Sequence, residues 1–222
     1  MSSFFLNGDS FFLENADLFT NFGYKTIRPF FSRRIGLQVP IVGGARLSGN
    51  IDENWRLGLM NIQTQKDIEE GLNAANFGVL TVQKKVLDRS NINFIFINKQ
   101  PWKDKAIAAS NPNRNAGIEY NYFSADNLWN GKLMFLQSFS PEREKKGTVF
   151  ASHISYQSTR WNALLQQEYI SGNYSAEVGY VPRTDYFKLQ GDLGHLFYTE
   201  GEISLLSHGP RFGRVYFFDT HL

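Results

Sequence analysis

An all-β fold is predicted by three features of this 222-residue chain. Apolar and polar side chains alternate with a period of two, turn-forming clusters separate the alternating runs, and 20 Phe, 10 Tyr and 4 Trp supply side chains suited to pleated strands. The predicted arrangement is an antiparallel, up-and-down sheet of about 10–12 long strands, closed partly or completely as a β-barrel. Residues 1–40 read as a plug-like leading segment and 41–222 as the antiparallel β-barrel-type domain.

Taken in order, the leading segment contains Ile27-Arg28-Pro29-Phe30-Phe31-Ser32-Arg33-Arg34-Ile35-Gly36, which runs toward the first hairpin. Less regular apolar runs at 45–49, 55–63, 77–84 and 91–99 are strand-sized, and none approaches the roughly 18 apolar residues of a membrane-spanning helix. The run 115–123 alternates cleanly, with Ile118, Tyr120 and Tyr122 on one face and Gly117, Glu119 and Asn121 on the other. Runs at 132–139 and 148–158 follow. At 161–169, Trp161, Ala163, Leu165 and Tyr169 oppose Asn162, Gln166 and Glu168, interrupted at Leu164 and Gln167. At 174–180, Tyr174, Ala176, Val178 and Tyr180 alternate with Ser175, Glu177 and Gly179, which predicts a further strand. Runs at 187–197, 202–207 and 214–222 complete the series. No segment demands a helix, and 65–75 reads as a solvated polar loop.

Asn50-Ile51-Asp52-Glu53-Asn54, Leu87-Asp88-Arg89-Ser90, Ala125-Asp126-Asn127, Asn130-Gly131, Ser171-Gly172-Asn173 and Glu200-Gly201 supply residues for tight reversals, so neighbouring strands are expected to be antiparallel. Connections alternate in length at first, short at 50–54 and 87–90, long at 65–76 and 100–114. This is the habit of outer-membrane barrels, which have short turns at one rim and long loops at the other. Beyond residue 124 the two classes no longer separate.

Composition excludes several functions. A net charge of +2 with scattered basic residues gives no footprint for nucleic acid. The absence of cysteine removes disulfides, thiol nucleophiles and cysteine zinc sites. The first residues, Met1-Ser2-Ser3-Phe4-Phe5-Leu6-Asn7-Gly8-Asp9, lack the pattern of a secretory signal, so the expectation is either a cytoplasmic chain or one whose true beginning lies upstream. Many aromatic residues together with Asn, Gln, Ser and Gly suit a barrel with an apolar outer face and a polar lumen.

A family resemblance rests on Phe11-Phe12-Leu13-Glu14-Asn15-Ala16-Asp17-Leu18-Phe19, Phe31-Ser32-Arg33-Arg34-Ile35-Gly36, Gly44-Ala45-Arg46-Leu47-Ser48-Gly49 and Asn61-Ile62-Gln63-Thr64. It continues through Asn76-Phe77-Gly78-Val79, Asp88-Arg89-Ser90-Asn91-Ile92 and Ile97-Asn98-Lys99-Gln100, and thins to pieces such as Gly179-Tyr180-Val181-Pro182-Arg183. The chain resembles the barrel-type region of domain-of-unknown-function family 5916. That resemblance implies a Bacteroidota-type outer-membrane protein, in which a signal peptide and a sandwich similar to carbohydrate-binding module family 9 precede the barrel. It also implies that this chain is a fragment with an incomplete barrel, located in the outer membrane. Its expected partners are outer-membrane lipid and an extracellular glycan or similar ligand.

No catalytic constellation is visible. His153, His195, His208 and His221 are widely separated, so no metal site is expected, and no Gly-x-Ser-x-Gly elbow is present. Gly43-Gly44 reads as a strand bend rather than a phosphate loop, and no cofactor is expected. The carboxylates Glu14 and Asp17, Asp52 and Glu53, Glu69 and Glu70, and Glu119 and Glu177 are the candidates for an acid–base pair in a hydrolase reading of the lumen. A soluble β-sandwich binding module is the third reading. Arg33 and Arg34 belong to the resembling motif. As strand neighbours they would face opposite sides, and their expected role is structural, at the barrel rim, bonded to carboxylates such as Glu14 or Asp17.

Overall fold

The computed structural model describes the backbone of residues 2–5 and residues 17–37, 39–102, 111–141, 146–198 and 207–220. Strand β1 (Ser2–Phe5) precedes a one-turn helix α1 (Asp17–Thr20) and a 3-10 turn (Ser32–Arg34). The long strands follow: β2 (Ile41–Asn50), β3 (Trp55–Thr64), β4 (Ala75–Val86), β5 (Ser90–Pro101), β6 (Asn113–Phe123), β7 (Trp129–Phe139), β8 (Gly147–Gln157), β9 (Trp161–Ile170) and β10 (Tyr186–His195). A small ribbon pairs β11 (Phe197–Tyr198) with β12 (Ser207–His208), and β13 (Arg211–Asp219) ends the series. Eleven strands form one antiparallel sheet in the order β1 through β10, then β13. It is a single up-and-down sheet in which, among the described residues, β1 and β13 form the edges, an arrangement consistent with a partial barrel.

Period-two alternation sends one set of side chains to each face, and the register carries them across the sheet. On the outer face Leu57, Val82, Phe94, Ile118, Phe135, Phe150, Tyr169, Phe187 and Phe218 lie opposite one another in succession. Phe94, Ile118, Phe135 and Phe218 in this row are exposed. Trp55, Trp129 and Trp161, three of the four tryptophans, each open a strand directly after a short turn and are exposed on this same face. They therefore mark one rim.

The inner face is covered by the chain itself. Leu18, Phe19, Phe22, Ile27, Phe30 and Ile35 pack with the wall residues Ile95, Ile97, Met134, Leu136, Val149 and Ile170 into one buried cluster. Residues 171–185 fold over the same face, where Tyr174 and Val178 join the cluster. The two covering segments are tied by Arg28 N–H to Tyr180 O (3.0 Å), Tyr180 N–H to Arg28 O (2.7 Å) and Phe31 N–H to Val178 O (2.7 Å). Gly179 permits this approach, because a Cβ there would collide with the carbonyl oxygens of Arg28 and Pro29.

Several expectations need correction. The segment 174–180 is not a strand. Its alternation is mimicked by a folded connection in which Tyr174 N–H bonds Ser171 O and Gly179 N–H bonds Ala176 O, with Tyr174 and Val178 turned into the core. The connections do separate after residue 124: 124–128 and 158–160 are short, whereas 140–146 and 171–185 at the opposite rim are longer. The connection 196–210, at the short-turn rim, departs from this pattern and holds the β11–β12 ribbon. The expected strand 202–207 falls outside the described residues except for Ser207.

Candidate functional site

A polar cavity of about 500 Å³ opens on the inner face toward the short-turn rim, bounded by α1 and by strands β3 to β8. Its position follows from the register, because the inward residues of each strand become polar on that side. Ile95 gives way to Asn93 and Asn91, Gly117 to Glu119 and Asn121, and Met134 to Lys132. Arg56, Gln83, Asn130 and His153 complete the wall, and Asp17 and Asn21 cover it.

Glu119 organises this cavity. Its side chain is fully buried, and both oxygens are occupied. One oxygen accepts from the side-chain amides of Asn93 (2.8 Å) and Asn121 (3.0 Å). The other accepts from the Gly23 backbone N–H (2.8 Å) and from Lys132 Nζ (3.1 Å). Lys132 also donates to Gly23 O at 2.8 Å. A buried carboxylate is stable only when paired and hydrogen-bonded, and these four donors meet that requirement. They also fix residues 21–24 against the wall.

Two further contacts hold the covering segment. Tyr24 Oη lies 3.1 Å from His153 Nδ1, and the rings meet edge to face at 5.6 Å. Burial, reinforced by the negative charge of Glu119, raises the Tyr24 phenol well above its ordinary value, so it stays neutral. Asp17 receives both Arg56 terminal nitrogens at 2.9 and 2.8 Å, a bidentate pair at the mouth of the cavity. The hydrogen bond from Arg56 holds the Asp17 carboxyl below its usual range, against the opposing effect of burial.

A second carboxylate, Glu168, is nearly buried on β9 and accepts from Tyr186 Oη (2.9 Å), Lys188 Nζ (3.2 Å) and Gln166 Nε2 (2.5 Å). Glu177 lies on the 171–185 connection rather than on a strand and pairs with Lys99 at 2.6 Å. Among the described residues no three His, Asp or Glu side chains converge as a metal site.

Arg33 and Arg34 stand elsewhere. They occupy the 3-10 turn, both exposed, so strand geometry does not apply to them. Among the described residues neither forms a salt bridge, and Asp17 is held by Arg56 instead. Glu14 lies outside the described residues. Arg56, Lys132 and the amide wall were not singled out from the sequence. The available signal was Lys132, Asn130 and Asn121 falling on inward positions next to Glu119, but facing strands must be registered before that grouping can be seen.

Comparison with protein-family models, with curated proteins and with solved structures finds no match to this chain.

Proposed function

We propose that this chain is part of an outer-membrane β-barrel protein of the kind it resembles in domain-of-unknown-function family 5916, with its outer face against lipid. Its cavity would serve in binding or uptake of an extracellular glycan or similar uncharged polar ligand. The observation that carries the membrane reading is the outer face. It presents a continuous apolar row with tryptophans at one rim, and soluble monomers rarely expose contiguous apolar patches beyond a few hundred Å². Strands of 9 to 12 residues match the length of about 9–11 needed for a tilted bilayer crossing. Tryptophan rings favour the bilayer interface, where one part of the ring is dry and the other wet.

The apolar packing inside the sheet is the feature a soluble protein would share, and here it joins the chain's own covering segments to inward wall residues such as Ile95, Met134 and Leu136. Support for the ligand comes from the neutral amides of Asn91, Asn121, Asn130 and Gln83 around the cavity, which can donate to and accept from hydroxyl groups. Catalysis has less to stand on, because the buried carboxylates Glu119 and Glu168 already accept four and three hydrogen bonds.

The chain refolded into phosphatidylcholine vesicles should show tryptophan quenching by lipids brominated near the headgroup, weaker when bromines sit at the chain ends. A detergent-free, monodisperse protein with cooperative unfolding and no vesicle binding would overturn the membrane reading. The ligand reading is tested separately, by titrating neutral oligosaccharides into the vesicle-bound chain. Absence of saturable binding would remove it and leave the membrane reading intact.

A further inference from the structure

The outer face carries a polar, basic patch beside an apolar groove. Register sets Ala45, Asn61, Gly78, Asn98, Arg114 and Phe139 side by side from β2 to β7, all pointing outward. One row nearer the tryptophan rim lie Leu47, Leu59, Leu80 and Phe96. Between the two rows runs an open groove of about 540 Å³, apolar along the second row and lined by amides at Asn61 and Asn98. Gly78 forms part of its floor, since the nearest atom to a Cβ placed there is Asn61 Nδ2, at 3.9 Å.

Two cations lie beyond the amide end. Arg114 Nε donates to Asn98 Oδ1 (3.0 Å) and one terminal nitrogen donates to Gln100 Oε1 (3.4 Å), while the other terminal nitrogen meets no acceptor among the described residues. Lys146 Nζ lies 5.4 Å from the centre of the Phe139 ring, and Phe139 is the cross-strand neighbour of Arg114. Both cations are exposed, and among the described residues neither has a carboxylate partner. Trp129 opens β7 and Phe139 ends it. A strand of that length at about 3.3 Å per residue and a tilt of about 40° rises about 25 Å, the height of the apolar band on an outer-membrane barrel. Arg114 and Lys146 therefore stand at the headgroup level opposite the tryptophan rim.

Resting on the membrane reading above, we propose that this surface is a fixed site for one anionic phospholipid, its phosphate held by Arg114 and Lys146 and one acyl chain laid along the groove. The charges select the occupant. A guanidinium already oriented by two amides and a neighbouring ammonium suit phosphate oxygens, and the Asn61 and Asn98 amides supply further donors at the groove mouth. A zwitterionic lipid would bring its own ammonium against both cations, and an acidic peptide would leave the apolar groove unfilled.

Native mass spectrometry of the full chain in neutral detergent micelles counts lipids per chain. Titrated phosphatidylglycerol should bind saturably at one per chain, and phosphatidylcholine should not compete at equal concentration. Arg114→Gln and Lys146→Gln should each weaken retention about fivefold, the worth of one basic residue beside an anionic lipid. Gly78→Phe, which fills the groove and keeps both charges, should weaken it as well. R33Q/R34Q removes as much charge from the covering segment and should change retention less than about twofold, since charges well apart in water are screened. Glycerol 3-phosphate should not displace the lipid, because it offers nothing to the groove; displacement would mean a free phosphate site and overturn the lipid assignment. Equal retention of both lipids, or equal losses in R114Q/K146Q and R33Q/R34Q, would also overturn it. Tryptophan quenching in pure phosphatidylcholine vesicles separates the two readings: if insertion occurs there without phosphatidylglycerol selectivity in micelles, this proposal fails and the membrane reading stands, whereas absent insertion removes both.

Discussion

Replacing Glu119 with alanine tests whether the covering segment is held by a buried charge network. The substitution leaves Lys132, only 13% exposed, without its carboxylate and removes the acceptor for the Gly23 N–H, Asn93 and Asn121. Hydrogen bonds to a charged group contribute about 1.5–3 kcal/mol each, but four on one carboxylate do not add. The better guide is the cost of stranding one member of a buried ion pair, about 3–5 kcal/mol. Unfolding of the full chain in micelles, followed by far-ultraviolet circular dichroism against urea, should show a loss of that size. Lys132→Met should cost less, because Glu119 keeps three donors, and the double variant should lose less than the sum by at least about 1 kcal/mol. Trypsin provides a local readout. Lys25 is exposed on the covering segment, and its cleavage should accelerate in Glu119→Ala well before global unfolding. A loss below about 1 kcal/mol, or strictly additive variants, would refute the claim that Glu119 anchors this segment.

Three other outcomes are expected. Asp17 is held below its ordinary value, so its contribution is complete above the normal aspartate range and disappears as pH falls through the lowered value. With the side chain 43% exposed the effect should stay under about 1 kcal/mol, and Asp17→Asn should flatten the acid limb of the stability–pH curve, measured by urea midpoints at each pH. Gly23→Ala places a Cβ against the Ile27 carbonyl at a φ of +92°, so it should cost more than about 1 kcal/mol and speed trypsin cleavage at Lys25. Leu136→Ala empties a fully buried wall position and should cost about 2–5 kcal/mol in the same urea assay.

Strand alternation was readable because a sheet with two different surroundings imposes period two on each strand independently. Ile118, Tyr120 and Tyr122 face outward and Glu119 and Asn121 inward, as their spacing indicates. The same rule misreads 174–180, since alternation is also produced by a connection whose Tyr174 and Val178 are buried by tight turns. A similar ambiguity affects Arg33 and Arg34. Their composition suggests a rim ion pair, while the backbone places them on an exposed turn and gives Asp17 to Arg56, 39 positions away in sequence.

By itself, then, the sequence determined the all-β class, the antiparallel order and most strand positions. These depend on local periodicity and turn chemistry, which a single chain segment carries within itself. Tertiary structure alone decided that residues 17–35 and 171–185 cover the inner face, and that Glu119 gathers donors from β5, β6, β7 and the covering segment. Those outcomes depend on register between strands and on contacts between distant segments, 96 positions apart for Gly23 and Glu119 and 129 for Tyr24 and His153, and no local pattern encodes them.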